Sequence, residues 1–203
     1  MIRIHVFLLI IFAANILTAC AQVEPVQRVE NTSTLRPTEI GQVNDPILIC
    51  KPVSEIPVSE CMSLVALYFQ TSGDHWIMNN EEWANKDFWL ETSTPCSWAG
   101  IRCENGHVTE ISLGLNGLPG EVPSQIGDLT YLTTHDLTDN HLTKVPPEIG
   151  SLTNLSRLNL AFNDLSGLPI GLGNLTHLTS LYLAGIGLES FLPIGNLTSL
   201  TEL

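Results

Sequence analysis

The chain is short of positive charge. Eight lysines and arginines stand against 21 aspartates and glutamates in 203 residues, for a formal net charge of −13. Those eight are scattered, which excludes a basic patch for nucleic acid or anionic lipid. Catalytic signatures are missing as well: there is no Gly-x-Ser-x-Gly, no His-Glu-x-x-His and no phosphate-binding glycine loop. His107, His135 with Asp136 and Asp139, His141 and His177 belong to no such motif, so no catalytic residue, metal or cofactor is expected and the chain is not read as an enzyme. Cysteine is absent after residue 103; the five present are Cys20, Cys50, Cys61, Cys96 and Cys103.

What the second half does hold is a repeat. Leu155 to His177 sets a frame of Leu155, Leu158, Leu160, Asn163 and Leu165, followed by Leu168-Pro169 and Leu175. Leu132, Leu137, Asn140 and Leu142 repeat it 23 residues upstream, and Val108, Ile111, Leu113, Asn116 and Leu118 stand 24 residues before that. Leu178, Leu181 and Leu183 open a fourth copy, and Leu200 and Leu203 a fifth that the chain does not finish. Each unit begins with alternating apolar and polar residues, such as Leu158-Asn159-Leu160-Ala161, which is the signal of a half-buried strand. One unit is too short to bury its own leucines, so the units must stack into one core with their strands paired in parallel. Stacking also puts Asn116, Asn140 and Asn163 in a column, where their amides can satisfy backbone groups left open by the turns.

A leucine ladder with a period in the low twenties resembles the leucine-rich repeat family. The resemblance implies an α/β solenoid with a parallel sheet on its concave face and an irregular or 3-10 convex side. The expected units are 108–131, 132–154, 155–177, 178–199 and a partial 200–203. Three departures stand out. His135 occupies a leucine position and is expected at the edge of the core; Ile186 replaces the ladder asparagine; and the tail Phe191 to Gly195 is about one residue short. The first copy alone carries Leu118-Pro-Gly-Glu-Val122-Pro123, which resembles the plant-type Leu-x-Gly-x-Ile-Pro segment.

At the other end, residues 1–19 place Arg3 before the apolar run Val6 to Phe12, the layout of a secretory signal and too short for a membrane span. Leu17-Thr18-Ala19-Cys20 resembles the bacterial lipobox, which implies a lipid on Cys20; an ordinary signal peptide with a chance cysteine is the alternative. Residues 20–46 read as a polar, flexible tether to that anchor. The expected location is the cell surface, exported and membrane-bound through the lipid alone.

The remaining cysteines form an even set ahead of the repeats, and export favours disulfides over zinc. Cys50–Cys61 and Cys96–Cys103 are the preferred pairs because each closes a short loop. Residues 59–71 read as a helix, with Ser59 as N-cap, Gly73 as stop, and Cys61, Leu64, Val65 and Tyr68 on the face toward the first repeat. Cys96-Ser-Trp98-Ala-Gly100-Ile-Arg-Cys103 resembles the N-terminal cap signature of plant-type leucine-rich repeats, and with Gly73-Asp74-His75-Trp76 the whole resembles secreted bacterial leucine-rich repeat lipoproteins. Residues 47–107 are therefore expected to form a helical, disulfide-stapled cap over the apolar end of the stack. Stacking of a carbohydrate on Trp76 or Trp83 is the functional alternative.

The function implied is recognition without chemistry: binding of a protein or cell-surface polymer on the concave face, with no nucleic acid and no cofactor. Glu110, Asp136, Asp139, Arg157, Asn159, Phe162 and Tyr182 are the candidate contacts, because they project between framework leucines and include the residue types that carry interface energy. Two other readings remain. A eukaryotic receptor-like ectodomain would turn Asn31, Asn154, Asn174 and Asn196, which lie in Asn-x-Ser/Thr sequons, into glycan sites. The unfinished fifth unit points to a fragment of a longer solenoid, and so to the substrate-binding part of a longer enzyme or receptor.

Overall fold

The computed structural model describes residues 46–77, 88–187 and 196–203. The secretory segment, Cys20, the tether through residue 45, Asn31, Trp83 and the tail at 188–195 lie outside the described residues. The fold is a leucine-rich repeat solenoid with a cap at its N-terminal end.

The cap begins with two helices, α1 (Pro46–Cys50) and α2 (Val58–Gln70), joined by the Cys50–Cys61 disulfide. Helix α2 starts one residue ahead of the sequence reading, and Pro57, not Ser59, is its N-cap. The fixed φ of proline presets the entry, and the Ser59 carbonyl instead accepts the Ser63 hydroxyl at 3.0 Å. The helix ends at Gln70 with Thr71 as its C-cap, and the next residue, Ser72, is left-handed with a φ of 53°. Gly73 serves a different purpose from the expected stop: the Tyr68 ring lies 2.1 Å from where its Cβ would be. Cys61, Leu64 and Val65 are buried and Tyr68 packs beside them, as the amphipathic spacing requires.

Three tryptophans fill the space between this helix and the repeats. Trp76, Trp89 and Trp98 succeed one another at centroid distances of 5.0 and 5.3 Å. Their indole N–H groups donate to the carbonyls of Thr71, Ala99 and Thr92. Trp76 is 6% exposed, so its ring presents no platform for a sugar. The Cys96–Cys103 disulfide ties this cluster to the first strand.

Five strands form the main sheet, in the order β1 (Ile101–Glu104), β2 (His107–Ser112), β4 (Thr134–Asp136), β6 (Arg157–Asn159) and β7 (Ser180–Tyr182). The last four are parallel, with Ile111, His135, Leu158 and Leu181 in one register column. Strand β1 is antiparallel to β2 through a tight turn at Asn105 and Gly106, both left-handed, which is the geometry an Asn-Gly pair favours. A second, two-stranded parallel sheet pairs β3 (Pro119–Glu121) with β5 (His141–Lys144).

The return limbs are 3-10 turns at Ser124–Asp128, Pro147–Ser151 and Ile170–Asn174. Each follows an extended proline, Pro123, Pro146 or Pro169, and buries one aliphatic side chain, Ile126, Ile149 or Leu172. Successive turns touch through backbone: a Cβ on Gly171 would sit 1.9 Å from the Pro147 carbonyl oxygen.

Two side-chain columns stitch the units together. Asn140 accepts the N–H groups of Asn116 and Leu118 at 3.2 and 3.0 Å and donates to the carbonyls of Leu113 and Leu137 at 2.9 Å each. One unit on, Asn163 accepts from Leu142 at 3.0 Å and donates to Leu137 at 2.8 Å, while the Asn140 N–H donates to the Phe162 carbonyl at 3.2 Å. Near the opposite end of each strand runs a column of hydroxyls. Thr133, Ser156, Thr179 and Thr201 each donate to the backbone carbonyl of the equivalent residue one unit earlier, at 2.9 to 3.1 Å.

His135 departs from the expectation that it lies at the edge of the core. It is fully buried, and among the described residues neither ring nitrogen has a hydrogen-bond partner. Desolvation holds its pKa down to about 4, so the imidazole is neutral near pH 7 and fills a leucine's place as an uncharged ring.

Candidate functional site

Strand alternation separates two sets of side chains. In each repeat the framework residue points into the core, and its neighbours on either side face the open surface of the sheet. The register lines those neighbours up in columns across the strands. The first runs Glu110, Thr134, Arg157, Ser180 and Glu202, the last through an isolated bridge to Ser180. The second runs Ser112, Asp136, Asn159 and Tyr182. Beyond the strand ends, the frame continues with Gly114, Thr138, Ala161 and Ala184, and then with Leu115, Asp139, Phe162 and Gly185.

All four members of that last column have left-handed backbones, with φ between 51° and 71°. Gly185 takes this conformation without strain, whereas Leu115, Asp139 and Phe162 hold side chains there. The Phe162 ring rests over Gly185, occupying the space a Cβ would need at 2.4 Å. Phe162 remains 58% exposed and Leu115 67% exposed.

Several predicted contacts are brought together. Asn159 donates to Asp136 at 3.3 Å across β6 and β4, and Asp136 also accepts the N–H of Thr138 at 2.9 Å. The Arg157 guanidinium lies over the Tyr182 ring, 5.0 Å from its centroid, an attractive arrangement of cation on aromatic face. The Tyr182 hydroxyl donates to Glu202 at 2.5 Å. This bond is the main cause of a raised Tyr182 pKa and of a lowered Glu202 pKa. Glu110 stands apart at the cap end of the first column. Ala161, which the frame also places toward this face, is buried.

Sequence reasoning passed over Glu202. The signal was present, since Thr201-Glu202-Leu203 repeats Ser156-Arg157-Leu158 and Thr179-Ser180-Leu181, and one more step along the frame places Glu202 in the column of Arg157. Glu60 was missed too. This residue of α2 is 3% exposed; it accepts the Val108 N–H at 2.8 Å and lies 2.6 Å from His107 Nδ1. His107 in turn stacks on Tyr131 at 3.6 Å. The other candidate histidines fall at separate places: His135 in the core, and His141 on β5 beside Asp164 at 3.4 Å.

The description "Leucine-rich repeat region" matches residues 112–203. Over 55 residues the chain is 40% identical to a probable inactive receptor kinase of Arabidopsis thaliana, a stretch that makes up 27% of this chain and 8% of that protein. The chain therefore spans under a tenth of that relative's length. Among solved structures, the ectodomain of the Arabidopsis thaliana receptor kinase SOBIR1 superposes with a TM-score of 0.57 at 26% identity, over 73% of this chain and 78% of that one. The ectodomain of the Arabidopsis thaliana receptor kinase GASSHO1/SCHENGEN3, solved in complex with CASPARIAN STRIP INTEGRITY FACTOR 2, gives 0.55 at 29% identity, over 71% of this chain and 17% of that one. The chain is thus similar to leucine-rich repeat ectodomains of plant receptor kinases, and the Cys50–Cys61 disulfide supports a cap of plant type. These neighbours give no support to the resemblance to bacterial lipoproteins. Among the described residues, no helix is long and apolar enough to cross a membrane.

Proposed function

We propose that this chain is a non-catalytic recognition module that binds a polypeptide on the open face of its main sheet, outside the cytoplasm. The observation that carries the reading is the preassembled group of Arg157, Tyr182 and Glu202 on the same sheet face as the exposed, positioned ring of Phe162. Tyrosine, arginine and aromatic side chains held in place supply contact area with little ordering cost. Similarity to a receptor ectodomain solved with a bound partner supports the same reading. Glu110, Asp136, Asp139 and Asn159 complete the proposed contact set.

The test is a photo-crosslinking residue installed in turn at Phe162 and at Ile170, which is 84% exposed on the convex side. The full chain is then exposed to the extracellular proteins of its source. Crosslinked partner should form at position 162, and should be lost when Arg157→Ala and Tyr182→Ala are added. Adducts forming only at position 170 would move the site off this face.

The organisation we propose around it is a signal over 1–19, a tether over 20–46 lipid-anchored at Cys20, a cap over 47–107, and repeats from 108. The anchor rests on Leu17-Thr-Ala-Cys20 alone. Similarity to plant receptor ectodomains favours a second reading, in which the chain is receptor-like and carries no lipid. The intact mass of the exported protein separates the two: a diacylglycerol-bearing cysteine at the mature N-terminus supports the first, an unmodified chain the second.

A further inference from the structure

The proposed face has a shape as well as a composition. Gly114, Thr138, Ala161 and Ala184 form a column of small side chains between two columns of larger ones. On one side stand Ser112, Asp136, Asn159 and Tyr182, and on the other Leu115, Asp139, Phe162 and Gly185, so larger side chains flank it on both sides in the middle two units and on one side at each end. The result is a shallow trough running across the strands. With strands about 4.8 Å apart, four units give it a length of roughly 15 Å, enough for an extended segment of four or five residues at about 3.4 Å each.

Its charge is one-sided. Among the described residues, Glu110, Asp136, Asp139 and Glu202 are set against Arg157 alone in these columns. That guanidinium is already occupied with the Tyr182 ring, whose hydroxyl holds Glu202. The other three described basic residues are elsewhere: Arg102 pairs with Glu104 at 3.4 Å, Lys144 with Glu121 at 3.5 Å, and Lys51 follows α1. Asp136 spends its hydrogen bonds on Thr138 and Asn159, two neutral groups, so its charge is not cancelled. The exposed, positioned ring of Phe162 adds an apolar anchor beside Asp139 on the same rim.

Resting on the proposed function, we infer that the occupant of this trough is an extended, cationic segment of polypeptide, whose basic side chains meet Asp136 and Asp139 while an apolar side chain lies against Phe162. Opposite charge both steers such a segment to the face and rejects acidic competitors. An extended chain turns every second side chain the same way, about 6.8 Å apart, a spacing that lets one segment use both kinds of contact.

The experiment uses the full chain and three fluorescent peptides of equal length. They share a central leucine and differ in carrying arginine, glutamine or glutamate at alternate positions. The arginine probe should bind more tightly than the other two, weaken as salt rises, and lose about tenfold in affinity with Asp136→Asn/Asp139→Asn. Glu104→Gln/Glu121→Gln removes as many carboxylates away from the face and should leave affinity unchanged. The inference is overturned if both double variants weaken the arginine probe equally, since bulk charge would then be responsible, or if the arginine probe shows no preference. A glutamine probe that binds as tightly, and loses affinity with Arg157→Ala/Phe162→Asn/Tyr182→Ala, would overturn the cationic occupant while leaving the face as the binding site. If no probe responds to that triple variant, the cationic occupant is overturned, and the crosslinking at position 162 decides the face independently.

Discussion

Glu60 and Val108 join the cap to the repeats: the carboxylate on α2 accepts the first framework residue's N–H at 2.8 Å, from 48 positions away. The same group holds His107, so one buried side chain fixes the start of β2. Removing it leaves a buried donor open. Glu60→Ala should lower the unfolding free energy by about 3 kcal/mol in urea titration, and Glu60→Gln, which keeps an acceptor, by less than half of that. A loss below about 0.5 kcal/mol for the alanine variant would show that the cap is held by apolar packing alone.

The asparagine column predicts unequal costs for the same substitution. Asn140 satisfies two N–H groups and three carbonyls, whereas Asn116 donates to Gly114 and, among the described residues, its buried Oδ1 has no partner. Asn140→Ala is expected to cost about 3 kcal/mol or more, and Asn116→Ala about 1 kcal/mol. Equal losses would contradict the ladder as the source.

His135 makes stability depend on pH in a known direction. Its folded pKa, about 4, lies below the ordinary 6.5, so the unfolded chain takes up the proton first as pH falls. Stability is therefore full above about 6.5 and declines down to about 4, below which this contribution stays lost. At about 1.4 kcal/mol per pH unit, the decline amounts to something on the order of 3 kcal/mol. His135→Leu should be more stable at every pH and flatten the profile in that window, as read by thermal melts at several pH values. A parallel fall in both proteins would assign the acid sensitivity to other groups.

Contact between the 3-10 turns can be tested with two glycines. Gly171→Ala puts a methyl group 1.9 Å from the Pro147 carbonyl oxygen, while a Cβ at Gly167 meets nothing within 4 Å. The first should cost about 3 kcal/mol or more by forcing two units apart. The second should be neutral or slightly stabilising, since alanine restricts the unfolded chain. Melting temperatures of the pair give the comparison.

Much of this architecture could be read from leucine spacing, because burial of Ile111, Leu158 and Leu181 in register leaves little choice of fold once the period is known. The asparagine column followed from the same frame. Side-chain partners across long separations were not legible: nothing local to Glu60 says that it will meet Val108 or His107. The β1–β2 hairpin was legible and was missed, since Asn105-Gly106 between two alternating runs is a strong turn signal. His135 was placed at the core's edge because an imidazole prefers water, and the packing of the units on either side overrode that preference. Of the proposed face, the columns were readable from the frame, whereas the stacking of Arg157 on Tyr182 depends on rotamers that only packing decides.

The hydroxyl column has a direction. Thr133, Ser156, Thr179 and Thr201 all donate toward the cap, each to the unit made before it, and the amides of Asn140 and Asn163 likewise serve the unit ahead of them. A repeat leaving the ribosome therefore has the acceptors for these hydroxyls already synthesised. The backbone runs the other way, with the N–H groups of Leu113, Leu137 and Leu160 donating to the unit made after them, so the short side chains alone share the direction of protein synthesis and each unit is fully bonded only once its successor is in place.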